Sequence, residues 1–282
     1  MNGRIGIIIE LSKVRIACLA TASAATGYVL ATHDVSAAMI PVLLGVFLLA
    51  SGAGALNQAQ EFDIDALMRR TMNRPIPSRR IRAREGYVIA VSLLVAGSAL
   101  LLAESPLAML LGFVTVLWYN AIYTPLKRVT AFAAIPGGVV GAIPPVIGWV
   151  AGGGAVMDVR ILAVAYFFFV WQVPHFWLLL LRIGDDYERA GLPTLTSVFT
   201  RPQFARIIYV WMITTVVAGM SMPLFGVSSE VWTQAGLIVS SLWLGWHATQ
   251  MVRTDGEVLA FHHINVYALL VISLLSISGL VG

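Results

Sequence analysis

The stretch Asn57-Gln-Ala-Gln-Glu61-Phe-Asp63-Ile-Asp65 closes a run, Ala37 to Leu56, that carries no charge. Asp and Glu number 14 in 282 residues, so three acids within five positions at the foot of such a run is a concentration that asks for a cause. A helix turns about 100° per residue, so Asn57, Glu61 and Asp65, spaced i, i+4 and i+8, fall on one face. Asp63 points off that face. Carboxylates at the mouth of an apolar helix are expensive, and a hard divalent cation offsets the expense because it takes carboxylate and amide oxygens as ligands. The set suits one or two Mg²⁺ ions shared with substrate phosphates. The plain alternative is a solvated helix end whose acids pair with Arg69 and Arg70.

Beyond the acids runs Arg69-Arg70-Thr-Met-Asn73-Arg74-Pro75-Ile-Pro77, a proline-broken loop dense in guanidinium groups. Guanidinium forks match phosphate oxygens, so acids and arginines together describe a diphosphate pocket. A second polar cluster, Arg182-Ile-Gly-Asp185-Asp186-Tyr-Glu-Arg189, follows an apolar run of its own, and its adjacent acids suit a second metal. A local pairing of Asp185 with Arg189 accounts for it equally simply. The third polar element, Tyr119-Asn120-Ala-Ile-Tyr123-Thr-Pro-Leu-Lys127-Arg128, suits a departing phosphate, and reads as well as a topology signal.

These elements need a scaffold, and the composition says what kind. Hydrophobic residues make up 59% of the chain, charged residues 11%, and the mean hydropathy is +0.85. Soluble domains carry about 25% charge, so lipid is the main solvent. The apolar runs are long and continuous rather than alternating, which selects helices over a barrel. The expected fold is all-α, a single polytopic membrane bundle over residues 1–282. It has about nine transmembrane helices, near Val14–Thr32, Ala37–Gln60, Gly86–Ala103, Pro106–Tyr123, Ala131–Val150, Val159–Leu181, Arg206–Leu224, Val231–Met251 and Phe261–Leu280. Of the 18 Lys and Arg residues, all but Arg160 then fall on one side, which puts the amino terminus in the cytoplasm. The first helix reads as retained rather than as a secretory signal, because Glu10, Lys13 and Arg15 interrupt its approach. Cys18 stands alone, so no disulfide forms within the chain. The net charge of +4 is explained by topology and anionic lipid; the basic loops lack interleaved aromatics, so no nucleic acid is expected. His175, inside an apolar span, is a functional candidate by position, and a structural hydrogen bond to a neighbouring helix is the plain alternative. His247, His262 and His263 read as structural or interfacial.

The three polar elements together resemble the UbiA superfamily of intramembrane aromatic prenyltransferases. Asn57-x3-Glu61-x3-Asp65 with Arg70-Thr71 and Asn73-Arg74-Pro75 is similar to its first acidic motif. The runs Tyr123-Thr-Pro-Leu-Lys127-Arg128-Val-Thr130, Pro144-Pro145-x-x-Gly148-Trp149 and Trp171-Gln-Val-Pro174-His175-Phe176-Trp177 resemble its haem-directed branch. Where the wider superfamily reads Asp-x3-Asp in its second motif, Asp186 is followed four residues on by Ala190. The resemblance implies transfer of a farnesyl group from farnesyl diphosphate to a vinyl group of protohaem IX, with haem as substrate and Mg²⁺ as cofactor. It implies that Asn57, Glu61, Asp65 and Asp186 hold the metal. Asn57, Glu61, Asp65, Lys127 and Arg128 would carry the chemistry, and Arg70, Arg74, Tyr123, His175, Asp185 and Asp186 would bind substrate. The implied setting is the inner (plasma) membrane with the site facing the cytoplasm, and a haem A synthase or an oxidase assembly factor is a conceivable partner. Three rival readings stand beside this one: a prenyltransferase acting on an aromatic quinone precursor, a transporter of an anionic solute, and a non-catalytic haem-delivery protein.

Overall fold

Apolar runs punctuated by proline, glycine and charge dictate helices, and the computed structural model, which describes residues 3–254 and 257–281, has no strand among the described residues. A short α1 (Arg4–Leu11) leads into α2 (Val14–Thr32) and α3 (Met39–Gln60). One turn, α4 (Phe62–Asp65), and a folded connector precede α5 (Ala83–Glu104). Then come α6 (Pro106–Leu117), a π turn over Trp118–Tyr123, α7 (Thr124–Leu126), α8 (Ala134–Ala151) and α9 (Val159–Arg189). The chain finishes with α10 (Leu195–Val198), α11 (Arg201–Ser221), α12 (Val231–Thr254) and α13 (Glu257–Val281). The starts follow local chemistry. Pro106 and the Ser105 hydroxyl, which accepts from the Ala108 N–H, open α6. The Asp158 carboxylate caps α9, and a Thr200–Gln203 capping box opens α11.

Among the described residues, eight helical stretches, one of them running from α6 through α7, are long and apolar enough to cross a membrane. The expected ninth, α12, has 24 residues but falls short in apolarity, since Thr233, Gln234, Ser240, Ser241, His247 and Gln250 dilute it. Two boundaries need correction. The sixth span was expected to end near Leu181, but α9 runs 31 residues to Arg189, carrying Asp185 and Asp186 on the helix rather than in a loop. Hydropathy marks where lipid ends, not where helical hydrogen bonding ends, and an ion pair three residues apart, Asp186–Arg189, supports the polar extension. The seventh span begins at Arg201, five residues before Arg206, because its capping box lies there.

α9 runs through the core. Ile161, Val164, Phe167, Val173, Trp177 and Leu178 are buried against Phe204, Ile208 and Met212 of α11 and Tyr267, Val271 and Leu275 of α13. α2 and α8 approach backbone to backbone. A Cβ on Gly148 would strike the Ala24 carbonyl, and one on Gly27 would strike the Pro145 carbonyl. Lipid supplies no hydrophobic drive between helices, so small residues that admit such close contact do the associating.

Candidate active site

α3 stops at Glu61, whose φ of −111° and ψ of 13° leave the helical region, and α4 restarts at once. The Glu61 N–H still donates to the Asn57 carbonyl at 3.0 Å, and the Asp65 N–H to the Glu61 carbonyl at 2.8 Å. The spacing of four therefore survives the bend, and the three side chains face one interior cluster. Asn57 is 2% exposed, Asp65 4% and Glu61 7%. Buried carboxylates need partners, and each has a cation. Lys127 Nζ lies 2.7 Å from Glu61 Oε1, and Arg74 Nη1 lies 2.6 Å from Asp65 Oδ2. Thr71 fixes the turn beneath by donating its hydroxyl to the Asp65 carbonyl. Asp63, off the face, pairs at the exposed rim with Arg128 at 3.1 Å.

A third cation joins from an unexpected quarter. Lys13 Nζ donates to Asn57 Oδ1 at 2.7 Å and lies 3.4 Å from the Tyr119 hydroxyl. Burial, with Arg74 and Lys127 alongside, brings its ammonium down to about 7, and Glu61 and Asp65 only partly oppose this. The cluster thus sets three basic side chains against two carboxylates, a balance suited to receiving further anionic oxygens.

The Asn57 amide joins these groups. Its Nδ2 donates to Glu61 Oε2 at 2.7 Å and to Thr124 Oγ1 at 3.0 Å. Thr124 is aimed there by the π turn, in which its own N–H reaches back five residues to the Tyr119 carbonyl. Such wide turns re-aim side chains at functional positions. Asn120 in the same turn donates to the Ala53 carbonyl and to Gln60 Oε1, both at 3.1 Å, so α6 is tied to α3 beside the acids.

The second acidic element arrives differently from expectation. Asp186 accepts the backbone N–H groups of Arg69 at 3.2 Å and Arg70 at 3.1 Å, and pairs with Arg189. It grips the connector after α4 rather than joining Glu61 and Asp65. No group of three or more His, Cys, Asp and Glu side chains is placed to hold a metal among the described residues. Asp185 and Arg70 are exposed. Two buried carboxylates and an amide oxygen still form a donor set of the kind a hard divalent cation takes. Asn57, however, offers Glu61 its nitrogen, so the amide must turn over before its oxygen and Glu61 share an ion.

From the cluster a file of rings runs inward. Tyr119 stacks with Tyr123 at 5.8 Å between centroids, and Tyr123 with Phe176 at 6.1 Å. Phe176 meets His175 at 5.7 Å, and His175 stacks on Trp171 at 4.9 Å and leans on Phe261 at 5.3 Å. Lys127 Nζ sits 5.2 Å from the Tyr123 ring centre. His175 Nδ1 is buried without a hydrogen-bond partner. His247 and His263 face one another at 3.8 Å beside Trp243, on α12 and α13.

Sequence reasoning brought Asn57, Glu61, Asp65, Arg74, Tyr123 and Lys127 to one region. It missed Lys13, read there only as a charge flanking the first span, and the parts played by Thr124 and Gln60. Lys13 is 44 residues from Asn57, and no local pattern announces that contact. For Thr124 a signal existed: Asn120 and Thr124 lie four apart beside Pro125, where a helix must deform.

An all-helical bundle with an acid-and-cation cluster at one end and a ring-lined interior defines a polytopic membrane protein of the intramembrane-transferase kind. Residues 18–270 match the UbiA prenyltransferase family, and the chain belongs to it. It is 41% identical over 216 residues to the protoheme IX farnesyltransferase of Geobacter sulfurreducens, covering 77% of this chain and 80% of the relative. It is 34% identical over 273 residues to the enzyme of that name from Oleidesulfovibrio alaskensis, covering 96% of each. Its fold is also that of a UbiA homologue from Archaeoglobus fulgidus bound to GPP and Mg²⁺, with a TM-score of 0.72 at 16% identity over 97% of this chain and 99% of the other. The chain is thus an integral, multi-pass membrane prenyltransferase.

Proposed function

We propose that the chain transfers the farnesyl group of farnesyl diphosphate to a vinyl group of protohaem IX. The observation that carries this reading is the buried cluster of Asn57, Glu61 and Asp65 with Lys13, Arg74 and Lys127, bordered by the ring file that starts at Tyr119 and Tyr123. The names of its relatives supply the acceptor. We read the whole chain as one catalytic domain in the plasma membrane, with the cluster on the cytoplasmic side where the basic connectors gather.

Glu61 and Asp65, with Asn57 once its amide turns, would hold Mg²⁺, and Asp186 would steady the adjacent connector at the rim. Bound there, Mg²⁺ would supply charge neutralisation to the diphosphate oxygens. Arg74 and Lys127, drawn from their carboxylates, donate to the same oxygens, and Arg70 and Arg128 add positive potential at the mouth. These groups are aimed where negative charge grows as the allylic carbon–oxygen bond breaks, which is where fixed dipoles and charges accelerate a reaction most. The vinyl group attacks the allylic carbon and diphosphate leaves with the bonding electrons. The cation left beside the porphyrin takes water and loses a proton, giving a hydroxyethylfarnesyl side chain. Tyr119, Tyr123 and Phe176 present π faces to passing positive charge, and the apolar walls keep water from the allylic centre before carbon–carbon bonding. His175, at the inner end of the file, orients the flat acceptor. Arg182, which lies 5.4 Å from the Phe261 ring, would pair with a propionate.

Incubating purified protein with labelled farnesyl diphosphate, protohaem IX and Mg²⁺ and weighing the product by mass spectrometry tests this. A haem heavier by one farnesyl group and one hydroxyl group is expected. Labelled product on a quinone precursor but not on haem would overturn the acceptor; release of no diphosphate would overturn the chemistry.

A further inference from the structure

Lys13 stands at the elbow between α1 and α2 with φ 46° and ψ 48°, a left-handed conformation rarely adopted by residues other than Gly, Asn and Asp. Neighbouring contacts hold it there. Buried Gln58 donates its Nε2 to the carbonyls of Glu10 at 3.0 Å and Leu11 at 2.9 Å. The Glu10 carboxylate is itself held by Arg80 at 2.8 Å, and Arg80 also reaches the Asn73 carbonyl. The last turn of α1 is therefore clamped to α3 and to the connector that supplies Arg74. From that elbow the Lys13 stem crosses Gly54, where a Cβ would touch its Cδ at 3.5 Å, and the ammonium meets Asn57 Oδ1.

The Asn57 amide has one oxygen. Lys13 takes it, and the nitrogen side is turned to Glu61 and Thr124. A divalent cation shared with Glu61 needs that same oxygen. We propose that Lys13 is a positioning residue that competes with a divalent cation for the Asn57 carbonyl, so that the cation binds strongly only together with an anion able to draw the ammonium away. This rests on the reading of the cluster as a metal–diphosphate site. Phosphate oxygens accept from an ammonium better than an amide carbonyl does, because that bond is charge-assisted. An arriving diphosphate removes the competitor for the metal, and an arriving metal frees the ammonium for the diphosphate. Linkage makes the two effects equal. The enzyme would then not fill its metal site ahead of its substrate.

The test uses Mn²⁺ as probe, followed by the loss of its free-ion paramagnetic resonance signal on the purified full chain. Inorganic pyrophosphate is present or absent, and each titration is corrected by one without protein. The wild type is expected to bind Mn²⁺ weakly alone and more tightly with pyrophosphate. Lys13→Met is expected to bind Mn²⁺ alone at least about five-fold more tightly than wild type, with the pyrophosphate enhancement reduced. Lys13→Arg keeps the charge and is expected to keep the wild-type pattern. Should Lys13→Met fail to fold, Gln58→Leu, which loosens the elbow and leaves the charge, is expected to shift Mn²⁺ affinity the same way by a smaller factor. Unchanged Mn²⁺ affinity and enhancement in the folded variant overturn the proposal. Asp65→Asn separates the two ideas. If it binds Mn²⁺ as well as wild type, the metal–diphosphate reading itself fails. If it loses Mn²⁺ while Lys13→Met matches wild type, only the competition fails.

Discussion

Replacing Asp65 by Asn removes one charge and almost no volume. Asp65 is 4% exposed and receives Arg74 at 2.6 Å, and its backbone carbonyl, which the change spares, holds Thr71. At an effective dielectric near 20, two charges about 4 Å apart attract by roughly 4 kcal/mol. Desolvation of the buried carboxylate cancels most of that in the free protein, and Arg74 is itself 20% exposed. The amide oxygen of Asn still accepts from Arg74. The net cost in stability should be only about 1–2 kcal/mol, and the variant should insert and purify like wild type. Catalysis should suffer far more, because one of the two carboxylates that would hold Mg²⁺ against the diphosphate loses its charge; losing one such preorganised electrostatic contribution lowers turnover by about 10²–10³-fold. Labelled farnesyl transfer at saturating Mg²⁺ measures this, with Asp63→Asn as the control. Asp63 pairs with Arg128 at the exposed rim, so its variant should stay within a few-fold of wild type. If Asp65→Asn turned over within tenfold of wild type, or if Asp63→Asn were the more damaging change, the electrostatic reading of the cluster would be wrong.

Chelation by EDTA should stop the reaction and Mg²⁺ should restore it; product formed at full rate in the chelator would contradict the assigned role of Glu61 and Asp65. His175→Ala should alter the absorption spectrum of added haem while leaving pyrophosphate binding intact, since His175 lies at the far end of the ring file, and an unchanged spectrum removes its contact with the acceptor. Gly148→Val should destabilise the bundle by about 3 kcal/mol or more through collision with the Ala24 carbonyl, read as a lower melting temperature in detergent. Asp158 offers a pH test. Its hydrogen bonds with Arg160 hold its carboxyl below the usual range, so its contribution is present above the unfolded value near 3.9 and fades as pH falls through the lower folded value. Asp158→Ala should therefore cost about 1 kcal/mol at pH 7, and that difference should shrink on strong acidification.

The helices were legible because lipid leaves little choice: an apolar run of about 20 residues has one stable backbone form there. The face shared by Asn57, Glu61 and Asp65 was legible for the same reason, since one helical hydrogen-bonding pattern carries through the bend at Glu61. The end of α9 was not. Asp185, Asp186 and Arg189 look like a connector to any measure of hydropathy, yet they continue the helix into water. Nor was the destination of Asp186, because a carboxylate that accepts two backbone N–H groups from residues more than a hundred positions away leaves no local trace. Lys13 escaped for a related reason. In sequence it is one more positive charge beside a span, and only the elbow held by Gln58 turns it inward.

The wide turn at Trp118–Tyr123 has a bearing on how this segment tolerates insertion and deletion. A π turn absorbs one extra residue while the helix on either side keeps its phase. Deleting a residue within it should leave Lys127 facing Glu61 but narrow the turn that carries Thr124 and Asn120. Deleting one elsewhere in α6 should swing Lys127 by about 100° and away from its partner. Length changes in this helix are therefore admissible at one place, and the frame of the cluster is buffered there against genetic slippage.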